Sequence, residues 1–266
     1  MIEIELGVTD QTKPMVMFGN VFADGTLTAT SQAAGFDVGY IADYETGYGW
    51  KPAVDTIARA TVVLGAGVEA NCFFVTSHNL GSNAATLTLE YHNGAAWVGV
   101  YSVTPTNNDD IMYLFNNITA SQWRVSQVGG ASFIGVVRLG SRLVFPNGID
   151  QSYSSIPHAK VVEVQGMQTV SGAYVGQMIT RYGFKTSATF PLLDSSWVDT
   201  DMKPFETHYN DALPFVYAAN PQRFPDDYGY CWRPSNSGTL MPKYKEGGMY
   251  EEFTIELQGF VNARTV

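Results

Sequence analysis

The chain has 266 residues, of which 45% are hydrophobic and only 15% charged, with a formal net charge of −10. No basic run occurs, which excludes a protein that tracks a nucleic-acid backbone, because phosphate contacts need clustered Lys and Arg. No apolar run approaches the roughly 18 residues of a membrane span, and the acidic start "MIEIELGVTDQTKP" lacks the basic and apolar regions of a secretion signal.

These features lead us to expect a soluble protein made in the cytosol. With so few charges, its polar surface has to come from Thr, Ser, Asn, Gln and Gly. That composition suits β-rich proteins that bury themselves against neighbouring subunits.

In chain order, residues 1–24 read as an N-terminal arm or first strand. Seven short segments come next: "ARATVVLG" (58–65), "ANCFFVTS" (70–77), "ATLTLEYH" (85–92), "AWVGVYSV" (96–103), "DIMYLFN" (110–116), "QWRVSQV" (122–128) and "SFIGVVRLG" (132–140). Each is rich in Val, Ile, Thr, Tyr and Phe, and turn residues bound nearly all of them. Such spacing predicts a sandwich or barrel. Leu87, Leu89 and Tyr91 alternate with Thr86, Thr88 and Glu90, so one face is buried and the other wet. Asn93-Gly94 predicts a hairpin closed by a type I′ turn, which wants positive φ at both central positions.

"LVFPNGIDQSYSSIP" (143–157) combines Pro, Asn-Gly and serines and places a linker at residues 146–157. Beyond it, "AKVVEVQG" (159–166), "YVGQMITRYGFKT" (174–186), "PFVYAANP" (214–221), "DYGYCWRP" (227–234) and "YEEFTIELQGFV" (250–261) read as strands. One helix is expected between them. Thr200 or Asp201 caps it, Pro204 fits its first turn, and Met202, Phe205 and Tyr209 share a face.

The chemistry-bearing patterns are sparse. "LGAGVEA" (64–70) contains G-x-G-x-x-A, but the residues after it, "NCFFVTSHNLG", are strand-like rather than the helix that would receive a pyrophosphate. A turn between strands is therefore expected, and no cofactor. His78, His92, His158 and His208 are scattered, and His78 is placed to anchor a loop at a strand end. The two cysteines, Cys72 and Cys231, read as small buried hydrophobes. Asp109-Asp110, Asp226-Asp227 and Glu251-Glu252 are adjacent, and neighbours in a strand point to opposite faces, so they read as solvated loop acids.

The richest stretch is "FDVGYIADYETGYGWKP" (36–52), where Tyr40, Tyr44, Tyr48 and Trp50 are interleaved with Asp43, Glu45 and glycines. Aromatic faces stack on sugar rings, while carboxylates hold hydroxyls or calcium. Trp50 reads as core. Tyr40, Tyr44, Tyr48, Asp43 and Glu45 read as candidate ligand contacts, for a sugar or a protein.

Taken in order, the first half resembles the galactose-binding-like jelly roll, also called the discoidin or coagulation-factor type C fold. The pieces that carry the resemblance are "LTATSQAAGFDVGYIADYETGYGWKP", "ATVVLGAGVEANCFFVTSHNLGS", the hairpin "LTLEYHNGAAWVGV" with Asn93, Gly94 and Trp97, and "ITASQWRVSQV" with Trp123 and Arg124. It covers residues 25–145 and implies a β-sandwich in which Trp50, Trp97, Asn93, Gly94, Trp123 and Arg124 are structural, with Trp97 packed inward. Val63-Leu64-Gly65 stands where many relatives have Asp-Leu-Gly, so only a weak calcium site at Asp43 and Glu45 is implied.

The fold class expected is therefore mainly β: a galactose-binding-like β-sandwich jelly roll at 25–145, then a smaller β-rich assembly domain with one helix at 158–266. The whole-chain pattern, through "PFVYAANP" and "EEFTIELQGF", resembles tail-tip or baseplate proteins of tailed bacteriophages. That implies a non-enzymatic virion component of the tail. Its partners would be other tail or baseplate proteins, further copies in a homo-oligomeric ring and a host-surface glycan, with no nucleic acid. Two alternatives are kept: a carbohydrate-binding module of a glycan-degrading system, and a hydrolase using Asp226 or Asp227.

Overall fold

The structure is a computed structural model that describes residues 2–53 and 57–260. Its contacts divide the chain into two units. The first comprises residues 1–144 with 220–226, and the second residues 145–219 with 227–266.

The first unit contains β1 (Ile2–Ile4), β2 (Met15–Met17), β3 (Thr26–Ala29), a 3-10 turn at Val38–Ala42, β4 (Ala58–His78), β5 (Thr86–His92), β6 (Trp97–Val103), β7 (Ile111–Val128), β8 (Ile134–Gly140) and β9 (Leu143–Val144). It is a β-sandwich jelly roll in which two long strands serve both layers. One layer runs β3-β4-β7-β5-β6. The other joins β8 antiparallel to the second half of β4 and β1 parallel to the start of β7.

Here the sequence reading needs correction. The segments 58–65 and 70–77 are one strand, and so are 110–116 and 122–128. The glycines of "LGAGVEA" do not break the chain. The β4–β7 register slips between Val63 and Val68 and again between Ala70 and Cys72, so both strands bend from one layer into the other, with the ladder interrupted at each bend and resumed beyond it. The small residues Gly65, Ala66 and Gly67 tolerate the bend.

The core obeys the alternation read from the sequence. Ala58, Ala60, Val62, Leu87, Leu89, Trp123 and Val125 are buried between the layers with Phe73, Phe115 and Leu139. Each large member contributes roughly 1.5–3 kcal/mol by leaving water. Trp97 does not join them. It is half-buried on the outer face, where the Arg124 guanidinium lies 4.1 Å from its ring centre. The Glu90 carboxylate holds that guanidinium by two bonds, from Nε at 2.6 Å and Nη2 at 2.9 Å.

The hairpin turn also differs from expectation. His92 pairs with Trp97, leaving four loop residues rather than two. The Asn93 side chain accepts from Ala95 N and Ala96 N at 3.0 and 2.9 Å, and Gly94 supplies the positive φ of 94°. Asn93 itself does not adopt positive φ.

The second unit contains β10 (Lys160–Gln168), β11 (Tyr174–Asp194), a helical segment, β12 (Phe215–Ala218), β13 (Tyr228–Trp232), β14 (Lys243–Lys245) and β15 (Tyr250–Phe260). Its sheet order is β10-β11-β15-β13-β12, with β14 also on β15, and the pairs are antiparallel.

The helix Lys203–Asn210 carries Phe205 and Tyr209 into the core as expected, with Met202 buried just before it. Helical structure begins earlier than the sequence suggested, at Ser195, and passes through a π turn at Val198–Met202. The cap is Asp194, whose Oδ1 accepts from Ser196 N at 2.9 Å, so neither Thr200 nor Asp201 starts the segment. Phe145 stacks on Phe190 at 4.1 Å, and Phe253 lies 5.3 Å from Phe190. The final strand alternates, burying Phe253, Ile255 and Leu257.

Among the described residues, no helix is long and apolar enough to cross a membrane.

Candidate functional site

The loop at residues 31–52 is held by backbone and core rather than by chance packing. Trp50 is fully buried. It exchanges both backbone hydrogen bonds with Ile134 at 2.9 Å, and its indole Nε1 donates to Ser31 O at 2.9 Å. Gly49 leaves no room beside it, since a Cβ there would lie 2.2 Å from Ile134 O. Asn20 Nδ2 donates to Ala42 O at 3.2 Å and to Val137 O at 3.0 Å, tying the loop to β8. Ser77 Oγ donates to Thr46 O at 2.7 Å. Within the loop, Asp37 caps the 3-10 turn by accepting from Gly39 N at 2.7 Å, and Val38 and Ile41 are buried beneath it.

On this frame the predicted residues separate. Tyr40 and Tyr48 come together, with ring centres 5.5 Å apart and planes at 38°. Tyr40 is half-buried, while Tyr48 is 58% exposed. Tyr44 is engaged elsewhere: the buried guanidinium of Arg138 lies 4.0 Å from its ring centre. That contact holds a cation against an aromatic face and turns Tyr44 into an anchor for the loop. Asp43 and Glu45 are exposed, and Asp43 Oδ1 accepts from Tyr44 N at 2.9 Å.

Asp43 and Glu45 bring two carboxylates to the loop, where calcium takes six to eight oxygens. Among the described residues, no group of three or more His, Cys, Asp or Glu side chains could hold a metal.

Sequence reasoning missed Arg138, Asn20 and Ser77 as parts of this site. The one available signal was the lone Arg inside the apolar run "FIGVVRLG", since a buried guanidinium requires a partner.

The same strand end holds two shifted groups. His78 pairs in register with Ile134, the residue that also binds Trp50. Its Nε2 donates to Asp109 O at 2.8 Å, and its Nδ1 accepts from Leu80 N at 3.4 Å, the neutral tautomer these partners require. It therefore anchors the loop as expected, and burial pushes its pKa down to about 4. Asp110 is half-buried rather than fully solvated: burial of its carboxyl pushes it up to about 6, against the bond it accepts from Thr76 Oγ1 at 2.6 Å.

The other acid pairs need similar correction. Asp227 is buried, with its pKa raised by burial, and Oδ1 accepts from Tyr153 Oη and Ile156 N, each at 2.8 Å. Glu251 is buried too. Alternation along β15 turns Glu251 inward, whereas Asp110 and Asp227 lie just before β7 and β13 and are drawn in by their hydrogen bonds. Cys72 and Cys231 are buried thiols, as expected.

No protein-family model and no curated protein matches the chain. Among solved structures, it is similar to the family 32 carbohydrate-binding module of Clostridium perfringens NanJ in complex with galactose, at 17% identity and TM-score 0.41, spanning 49% of this chain and 99% of that one. It is also similar to a module of Clostridium perfringens in complex with GalNAc-β-1,3-galactose, at 16% identity and TM-score 0.39, spanning 45% and 97%. A third is chitosan-binding module 1 of a chitosanase/glucanase from Paenibacillus sp. IK-5, at 21% identity and TM-score 0.36, spanning 48% and 98%. Scores at this level assign the chain neither a ligand nor an activity.

Proposed function

We propose that the first unit is a non-catalytic glycan-binding module whose sugar contact is the Tyr48 ring backed by Tyr40. The observation that carries this reading is the 58% exposed Tyr48, held 5.5 Å from Tyr40 on a loop anchored through Trp50. An exposed aromatic on a fixed backbone stacks on the apolar face of a sugar, and with only two side-chain torsions it loses little entropy on binding. Asp43 and Glu45, exposed on the same loop, accept from sugar hydroxyls. The acids Asp110 and Asp227 are committed to internal hydrogen bonds, which favours binding over hydrolysis.

A glycan array followed by calorimetric titration tests the proposal. Tyr48→Ala is expected to weaken binding by at least about tenfold, a change of about 1.4 kcal/mol. A flat array with folded protein overturns it.

A second reading has its own support: a structural component of a bacteriophage tail tip or baseplate, located in the virion and assembled with other tail proteins as a homo-oligomeric ring. The hairpin of β10 and β11 favours it, because β10 is exposed along its whole length despite its valines. Such a surface fits a chain built to meet neighbours. Mass spectrometry of purified particles, with electron microscopy to place the chain, tests this reading. Its absence from particles whose genome encodes it counts against it.

A further inference from the structure

We infer that the hairpin formed by β10 and the first part of β11 is the surface on which a second copy of this chain docks. The β10–β11 register steps from Glu163–Arg181 to Val164–Ile179, and from Met167–Gly176 to Gln168–Tyr174. Both extra residues lie on β11, so β10 keeps its two-residue alternation. Val162 and Val164 therefore share one face with Ile179 and Tyr174, while Glu163 and Gln165 fall on the other. That face carries the exposed apolar residues Val162 45%, Val164 48%, Ile179 48% and Tyr174 70%, with the Gly166–Gln177 pair between Val164 and Tyr174. β10 is also an edge of its sheet among the described strands, and unpaired edges of this length are normally paired, covered or charged.

Charge identifies the occupant, and area sets the strength of the contact. The four strip residues present on the order of 400 Å² on each copy, so two copies bury about 800 Å² in all, the size of a weak, concentration-dependent contact. The chain carries −10, yet Lys160 to Ile179 holds one Lys and one Glu. Two copies repel over most of their surfaces and meet without facing like charges here. A basic or strongly acidic partner finds little to pair with, and a strip of Val, Ile and Tyr offers a glycan few hydrogen bonds. The same flat strip on each copy is self-complementary, as a two-fold contact requires.

This inference deepens the assembly reading above by assigning self-association to one surface. A hairpin-held oligomer in a protein that never enters a virion would sink that reading and leave this one standing.

Sedimentation velocity of the full chain over a wide concentration range is the test. The wild type is expected to associate. Val162→Asp with Val164→Asp is expected to weaken association by at least about tenfold, while Gln165→Asp, on the other face, leaves it intact. Both strip positions are exposed, and unchanged thermal melting of the variant verifies its fold. As an independent readout, Val164→Cys is expected to form a disulfide between copies under mild oxidation. A wild type that stays monomeric, with the hairpin then left for a different protein, overturns the inference. So does association that persists unchanged in the double variant.

Discussion

Acidification should loosen the strand end that carries the candidate site, and His78 sets how much. The folded chain holds this imidazole at a pKa of about 4, whereas an unrestrained one has 6.5. Between those values the unfolded chain binds a proton that the folded chain refuses, so stability falls as pH falls. The contribution is fully present above pH 6.5 and is lost as pH drops through about 4. Taking the sample from neutral pH to the lower value costs about 3 kcal/mol from this residue alone. Protonation at Nδ1 also removes the acceptor for Leu80 N.

Differential scanning calorimetry of wild type and His78→Gln isolates the effect. Gln keeps a donor for Asp109 O and does not titrate. Asp110, whose pKa is raised to about 6, works in the opposite sense, contributing stability below pH 3.8 that is lost as pH rises through 6. It is common to both proteins and cancels in their difference. The wild-type melting temperature is expected to fall by on the order of 8 °C more than that of the variant. Parallel curves for the two proteins would refute the role given to His78.

Three further outcomes are expected. Gly49→Ala forces a methyl against Ile134 O and should lower the melting temperature by several degrees while weakening any glycan affinity, read by calorimetry and titration of one sample. Glu90→Gln leaves the Arg124 guanidinium on Trp97 without its carboxylate, and should cost about 2 kcal/mol in urea denaturation, less at high salt. Cys72, buried with its thiol pushed up to about 12, should resist alkylation in the folded chain and react only after denaturation, as tracked by mass spectrometry.

Local pattern made much of this protein legible. Strands show through period-two burial, as in Leu87 and Leu89, because one face of a sheet must leave water. The helix face of Met202, Phe205 and Tyr209 shows for the same reason at helical period. Trp50 was readable as core because an indole between glycines and a strand has nowhere cheaper to go.

What the sequence could not carry were relations between distant residues. That β4 and β7 each run through both layers depends on their pairing, which resumes on the far side of each register slip at 63–72. The outward position of Trp97 depends on Arg124 and Glu90 meeting across strands. Tyr44 and Tyr48 look equivalent in the sequence, yet Arg138, far along the chain, takes one and leaves the other exposed. Alternation is a property of neighbouring residues and is written in their order. Which side chain a loop finally offers to solvent depends on partners brought together only by the fold.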